Sequence, residues 1–418
     1  MAKNRKKDDA PALERVSGIR DAKDRREVID VFARAFTNPG WMERHMDRAL
    51  FRGSIFDPEH TRVAVTDGRV VSGVTMAPRM IRFGAVKVPA MTVGPVGTHD
   101  AYRKRSYSSL AMRDASRYMA ENGCLVAYLQ GISDYYHRFG YYPFMAPGHV
   151  KIDRENARKE ARPGRLCVMR KKDLAGVRRL YAAATKGRTC AAVRDADLWH
   201  WLTGPGGRTW LFRKPRLILD AKGKLHGYVT EGQHGATGFG ELVVRQKEES
   251  CRVALGVLVK LARKHEAREL KLPLPWDDAL AVFIRHNVPA EWHQWSGATG
   301  GALMAVVDFP VLMKRLEPTF AARWQDACSA LPPVAFTIST EIGRVGIALH
   351  GDDMRITEPV RSPQVRIPRR WLSGLLTGYH PVSHIVQRKG ASVPTKLRPY
   401  MDILFPPGCP FVYQGDNY

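Results

Sequence analysis

A chain of 418 residues with a formal net charge of +25 is too long for one ordinary core, and predicts two to three domains of about 100 to 200 residues each. Its hydrophobic content of 44% and 27 prolines suit folded domains and exclude a largely disordered protein. No apolar run approaches the roughly 20 residues that span a bilayer, and the lysine-rich start MAKNRKKDDAPALER has no apolar region behind it. Neither a membrane span nor a signal peptide is therefore expected, and the chain reads as cytoplasmic. The six cysteines (Cys124, Cys167, Cys190, Cys251, Cys328 and Cys409) have no paired spacing, which argues against a metal site and against a disulfide framework and leaves them reduced. Apart from the first residues and RPGRLCVMRKK at 162–172, the basic residues are spread along the chain. Spread charge favours solubility over a nucleic-acid groove, and part of it can serve a phosphate-bearing ligand.

In chain order, residues 1–16 read as a charged, disordered arm. A helix is expected to start near Asp24, where Asp24 and Glu27 have capping-box spacing, with the apolar face Val28, Val31, Phe32, Ala35 and Phe36. TRVAVTDGRVVSGVTMAPRMIRF alternates and carries the hairpin signal Asp67-Gly68. The strand KVPAMTVGPVGTH then feeds the basic, small-residue turn YRKRSYSS, which opens the helix LAMRDASRYMAENG. A second strand, CLVAYLQ, ends in GISDYYHRFGYYPF, and GHVKID reads as the strand that closes the unit.

A helix N-terminus exposes unpaired N–H groups and the positive end of the helix dipole, so it attracts phosphate. Arg103, Lys104 and Arg105 add full charges, and Ser106, Ser108 and Ser109 are small enough for a pyrophosphate to reach the backbone around Tyr107. Strand, anion loop, helix, strand and aromatic turn in this order resemble the GNAT superfamily of acyl-CoA-dependent N-acetyltransferases. The superfamily loop has Arg or Gln, two residues, Gly, one residue, then Gly or Ala. Here Arg103, Ser106 and Ser108 stand at those places, so both small positions are serines, and Ser106 occupies one that glycine tolerates better.

Residues of about 160–305 repeat the order in weaker form. Helix DLAGVRRLYAAA and RDADLWHWL precede strands WLFRK, RLILD and LHGYVTEG, with a turn at Lys222-Gly223. Strand GELVVRQ, helix CRVALGVLVKLARKH and strand ELKLPLP follow. At the phosphate-loop position stands QKEESCR, with two glutamates and no glycine, and no tyrosine turn follows ELKLPLP. This reads as a duplicate that kept its fold and lost its cofactor site. Trp199 and Trp201 read as packing between domains. The third unit runs FPVLMKRLEP, VAFTIST, RVGIALHGDDMRIT and QVRIPRRWLSGLLTGY, for which the periodicities suggest strand, strand, strand and helix. Trp371, Leu372, Leu375 and Leu376 form an apolar helical face.

The whole chain beyond the arm resembles the enhanced intracellular survival (Eis) family of GNAT N-acetyltransferases, most specifically in YYHRFGYYPF and also in RDADLWHWL and the aromatic C-terminus. The resemblance implies an α+β chain: tandem GNAT folds with mixed central sheets flanked by helices, then a sterol-carrier-protein-like domain. The expected units are a catalytic GNAT domain at 17–155, a degenerate GNAT domain at 156–305 and the carrier-like domain at 306–418, whose C-terminus returns to the active site. It also implies acetyl-CoA as cosubstrate, no metal, and a homo-hexamer. The acceptor is a primary amine, such as an aminoglycoside or a lysine side chain. Tyr136, three residues ahead of FGY, takes the family's general-acid position. The family's chain-terminal carboxylate, a base, falls to Tyr418, where phenylalanine is usual. The splayed strand end Val96, Gly97 and Thr98 supplies an N–H to the carbonyl oxygen as it turns anionic. His99 and His137 are further candidate bases, although a loop histidine is by default an exposed polar residue. Two rival classes remain: an aminoacyl-tRNA-dependent peptidyltransferase and a non-catalytic acyl or lipid carrier.

Overall fold

The protein is described from a computed structural model covering residues 13–36, 39–47, 57–204, 212–231, 239–327 and 331–416. The chain begins with β1 (Leu13–Gly18), α1 (Ala22–Ala35), α2 (Pro39–His45), β2 (Thr61–Thr66), β3 (Arg69–Phe83), β4 (Val86–Thr98), α3 (Tyr107–Glu121), β5 (Val126–Gly131) and β6 (Tyr142–Pro143). β1 pairs antiparallel with β2, Ser17 opposite Val63, so the end of the expected arm is an ordered edge strand. The α1 cap lies three residues before the expected start. Asp21 accepts the Asp24 N–H at 2.8 Å, and buried Asp24 accepts the Arg20 N–H at 2.9 Å. Val28, Val31 and Phe32 are buried as their spacing predicts, whereas Phe36 is exposed at the C-cap. Asp67 and Gly68 have φ of +52° and +65°, the two left-handed residues that a tight hairpin between β2 and β3 requires.

The chain continues through β7 (Gly148–Asp153), α4 (Arg154–Lys159), β8 (Arg165–Val168), α5 (Leu174–Ala184), α6 (Ala196–Thr203), β9 (Arg213–Leu219), β10 (Leu225–Glu231), β11 (Phe239–Val244), α7 (Glu248–Lys264), β12 (Glu269–Leu272), α8 (Ala279–Asn287), β13 (Ala290–Gln294) and β14 (Gly301–Val306). Two sheets exchange strands here. β7, expected to close the first sheet, pairs instead with β12 and β13, Ile152 opposite both Leu270 and Ala290. β14 takes a central place in the first sheet, whose order is β1-β2-β3-β4-β5-β14-β6. The side chains explain the exchange. GHVKID is apolar on one face only, whereas GALMAV buries both faces, as a strand inside a sheet covered on both sides must. A separate sheet runs β11-β10-β9-β8, and the expected strands WLFRK and RLILD merge into β9, with the first residues of WLFRK outside the described residues.

The last elements are α9 (Phe309–Asp326), β15 (Val334–Thr340), β16 (Gly343–His350), β17 (Asp353–Thr357), β18 (Gln364–Arg366), α10 (Arg369–Thr377), α11 (Val382–Ile385) and α12 (Arg398–Leu404). FPVLMKRLEP is the first half of α9 and not a strand. Asp308 caps it by accepting the Val311 N–H at 3.0 Å, Pro310 stands in its first turn, and Phe309, Leu312, Met313 and Leu316 recur at helical spacing on its buried face. The sheet order is β17-β16-β15-β18, with only β15 and β18 parallel. The architecture is mixed α+β, and its length fits tandem GNAT domains. One core joins the first sheet to this last region, through Ile81, Tyr128 and Phe144 on one side and Phe309, Phe336 and Leu375 on the other. The opposite face of the first sheet packs on α3 through Met76, Met91, Ala111 and Ala115.

Candidate active site

β4 and β5 run parallel but share only three residue pairs, Ala90–Val126, Met91–Ala127 and Thr92–Tyr128. From Val93 onward, the edge of β4 that faced β5 has no strand partner, and the two strands open into a gap. A bulge aids the opening. Between the pairs Met76–Val93 and Val74–Val96, β4 carries one residue more than β3, which bends the strand and raises its twist. α1 lies close over the same strand end. A Cβ on Gly97 would stand 3.1 Å from both Ala35 and Phe32, so a side chain here would push α1 back by a few tenths of an ångström.

The gap opens into a cavity of about 1230 Å³. Its border includes Val96, Gly97, Thr98, Arg103, Lys104, Ser106, Tyr107, Ser108 and Tyr136, so the structure brings together nearly all the residues that the sequence singles out. Arg105 is the exception on the loop; it does not border the cavity and lies over the Tyr102 ring at 5.7 Å. Tyr418 lies outside the described residues. His99 and His137 do not border the cavity either.

The loop fits an anionic group. Ser106 is the α3 N-cap at φ +67°, the left-handed conformation for which the superfamily uses glycine, and its hydroxyl makes no cap bond. The first bond of the helix runs from the Leu110 N–H to the Ser106 carbonyl at 3.0 Å, which leaves the Ser108 and Ser109 amides outside the intrahelical ladder. Lys104 also has positive φ, +62°, and Arg103 forms an exposed ion pair with Asp100 at 2.7 Å.

Tyr136 sits where β5 ends, 8% exposed, its ring packed on the strand. A Cβ on Gly131 would lie 2.7 Å from the Tyr136 ring, so this glycine makes room for the tyrosine. Tyr135 meets Tyr136 edge-to-face at 4.9 Å and hydrogen-bonds the Ser108 hydroxyl, which ties the aromatic turn to the phosphate loop. Burial, with a smaller contribution from Tyr135, pushes the Tyr136 hydroxyl up to about 12. It is therefore protonated throughout the physiological range and acts as a donor.

Residues that the sequence did not assign to the site also border it, among them Ala35, Phe36, Met42 and Met46 at or near the ends of the first two helices, with Gln130 and Arg138. The i, i+4 spacing of Met42 and Met46 was visible in the sequence, but nothing there tied it to this gap. A second cluster was equally hidden. Arg194 forks onto Glu241 at 2.9 and 2.6 Å, and its Nε donates to Asp416 at 2.7 Å, with all three side chains fully buried. Tyr181 donates to Asp416 at 2.8 Å, Tyr228 donates to Glu241 at 2.6 Å, and the Tyr181 ring lies 3.9 Å from the guanidinium. The Tyr128 hydroxyl of β5 donates to the Asp416 carbonyl at 3.2 Å.

Residues 19–144 match the family profile of the acetyltransferase (GNAT) domain. The chain carries a GNAT acetyltransferase domain. It is an enzyme, an N-acetyltransferase; GNAT domains use acetyl-CoA and act on amines. Nearly the whole chain also superimposes on solved structures. A GCN5-related N-acetyltransferase from Kribbella flavida is 16% identical over 98% of this chain and 99% of its own, with a TM-score of 0.71. A probable N-acyltransferase from Enterococcus faecalis V583 is 14% identical over 97% and 99%, with a TM-score of 0.75. Eis1 from Mycobacterium abscessus is 18% identical over 97% and 100%, with a TM-score of 0.63. At such identities the likeness is one of fold. No curated protein sequence matches the chain. Among the described residues, no helix is long and apolar enough to cross a membrane.

Proposed function

We propose that the protein transfers acetyl directly from acetyl-CoA to a primary amine, with Tyr136 as general acid and the carboxylate of Tyr418 as base. The observation that carries this reading is the continuous cavity from the loop at Arg103–Ser109, along the opened edge of β4, to the protonated Tyr136. The pyrophosphate lies on the α3 N-terminus, and the thioester enters the gap. The amine lone pair attacks the carbonyl carbon, and backbone N–H groups at Val96–Thr98 bind the oxygen as it becomes anionic. As the C–S bond breaks, the departing sulfur takes the Tyr136 proton, and the carboxylate takes the proton that the amine nitrogen releases.

The raised pKa of Tyr136 refines the proton step. A phenol at about 12 faces a thiol of ordinary value near 8.5, so transfer to a solvated thiolate would be uphill by roughly 5 kcal/mol. A thiolate formed inside the cavity is desolvated as well, which raises its own proton affinity. Tyr136 therefore donates while the C–S bond breaks rather than afterwards.

Support for the base is the path of the tail. Asp416, two residues before Tyr418, is held by Arg194 and by Tyr128, the last β5 residue that pairs with β4. With this mechanism we place the chain in the Eis family, with a catalytic GNAT domain at 17–155, a degenerate one at 156–305 and a sterol-carrier-protein-like domain at 306–418 around the β15–β18 sheet. The strand exchange of β7 and β14 makes the first two domains interdependent. We further assign a homo-hexameric assembly, to be measured by light scattering, and a cytoplasmic location, which the free state of the five described cysteines supports.

The test is amine-dependent release of free thiol from acetyl-CoA by the wild type, Tyr136→Phe and a variant lacking Tyr418. Loss in both variants with acetyl-CoA affinity retained establishes the two roles. Acetyl-CoA binding without amine-dependent release would favour a carrier, and absence of both would end the transferase reading.

A further inference from the structure

The cavity is bordered by Arg103, Lys104 and Arg138 and, among the described residues, by no carboxylate side chain. Only Asp8 and Asp9 among all the acidic residues lie outside the described residues. Its wall near the gap is apolar instead. Phe36, Met42 and Met46 line it beside Val93 and Val96, where the end of α1 packs onto Gly97. A polycationic acceptor would have to bury several ammonium groups with no acidic side chain among the described residues to pair them, which is strongly unfavourable. An acceptor with one amine and an apolar remainder meets the opposite conditions. Desolvation favours the neutral amine that attack requires, and flexible methionine side chains conform to an apolar group of varied shape.

We propose that the acceptor is a monoamine with an aryl or alkyl flank, seated on Phe36, Met42 and Met46, and not a polyamine or an aminoglycoside. This rests on the transferase reading above and adds the substrate class.

The experiment first measures acetyl-CoA binding by calorimetry, then kcat/KM for thiol release with phenethylamine, hexylamine, spermidine and kanamycin. The two monoamines are expected to exceed the two polycations by about tenfold or more, the scale on which an apolar pocket discriminates. Met42→Glu and, independently, Met46→Glu are expected to narrow or invert that ratio, with acetyl-CoA binding reporting that each variant is folded. Equal or higher kcat/KM for the polycations in the wild type overturns the proposal while leaving the transferase intact. So does a preference for hexanoyl-CoA over acetyl-CoA with one fixed amine, which would assign the apolar wall to the acyl group. No thiol release with any amine removes both readings.

Discussion

The helix starts at Ser106 and at Lys247 follow a strand in the same strand–helix–strand order, and among the described residues the first borders a large cavity. In the first region, three residue pairs keep β4 and β5 in one sheet before they part, and serines and basic residues open α3. In the second, β11 and β12 belong to separate sheets, Glu248 and Glu249 fill the first turn of α7, and Ser250 is buried against His226 at 2.9 Å. The small cavity bordered by Phe239 and Leu261, about 60 Å³, lies at the opposite, C-terminal end of α7. An anion site thus needs more than a helix start. It needs small uncharged or basic residues there, and strands that diverge without separating. What the second region offers instead is the buried Arg194 cluster, which holds the chain's last described turn.

That contrast is broken most severely at Arg194. Arg194→Ala leaves Glu241 and Asp416 buried without their cation, and the expected loss is about 3–5 kcal/mol in chemical denaturation. Arg194→Lys keeps the charge but not the fork. If the cluster positions the tail, this variant lowers kcat more than it raises KM for the amine. Unchanged kcat in a folded Arg194→Lys protein would confine the cluster to stability.

Tyr136→Phe tests the chemical side of the comparison. The expected effect is a fall in kcat of about 100-fold, with acetyl-CoA affinity preserved in calorimetry. Because the hydroxyl lies near 12, the wild-type rate is expected to show no loss from Tyr136 ionisation up to about pH 10. An alkaline decline near pH 8 that disappears in Tyr136→Phe would contradict the assignment.

Asp278, which caps α8 by accepting the Leu280 N–H at 2.9 Å, gives the second region a pH dependence. Burial raises its carboxyl to about 6, opposed by the Leu280 N–H and by Arg188. The folded state holds this proton more tightly than the unfolded chain, whose carboxyl titrates near 3.9. The associated stabilisation is therefore complete below about pH 4 and is lost as pH rises through 6. Its size is on the order of 3 kcal/mol. Urea denaturation at pH 4 and pH 7 is expected to show a decline in the wild type that Asp278→Asn lacks.

The smallest change sharpens the phosphate loop. Ser106→Gly removes the cost of a side chain at φ +67° and is expected to stabilise the protein by about 0.5–1 kcal/mol, without weakening acetyl-CoA binding. Weaker binding would show that the Ser106 hydroxyl itself contacts the phosphates.

Local chemistry was legible in the sequence. The Asp67-Gly68 hairpin, the loop from Arg103 to Ser109 and the α3 and α7 helices follow from turn residues, charge and spacing within a few residues of one another, whereas Tyr136 was singled out only by its place in the motif that the chain shares with the Eis family. The first misreadings were local too. The spacing of Asp24 and Glu27 hid the nearer cap at Asp21, and the apolar start of α9 reads as a strand unless its Asp308 cap and Pro310 are weighed.

Tertiary structure alone decided which strands share a sheet and which distant residues meet. The exchange of β7 for β14 depends on whether a strand is apolar on one face or on two, and on which partner completes each core. The Arg194–Glu241–Asp416 contact joins residues up to 222 positions apart, and no local spacing encodes that. The apolar wall of the cavity at Phe36, Met42 and Met46, which carries no carboxylate side chain among the described residues, likewise exists only once α1 packs onto Gly97. Short-range patterns fix elements because backbone geometry is local. Sites assembled across elements depend on packing, and packing is settled by the whole chain at once.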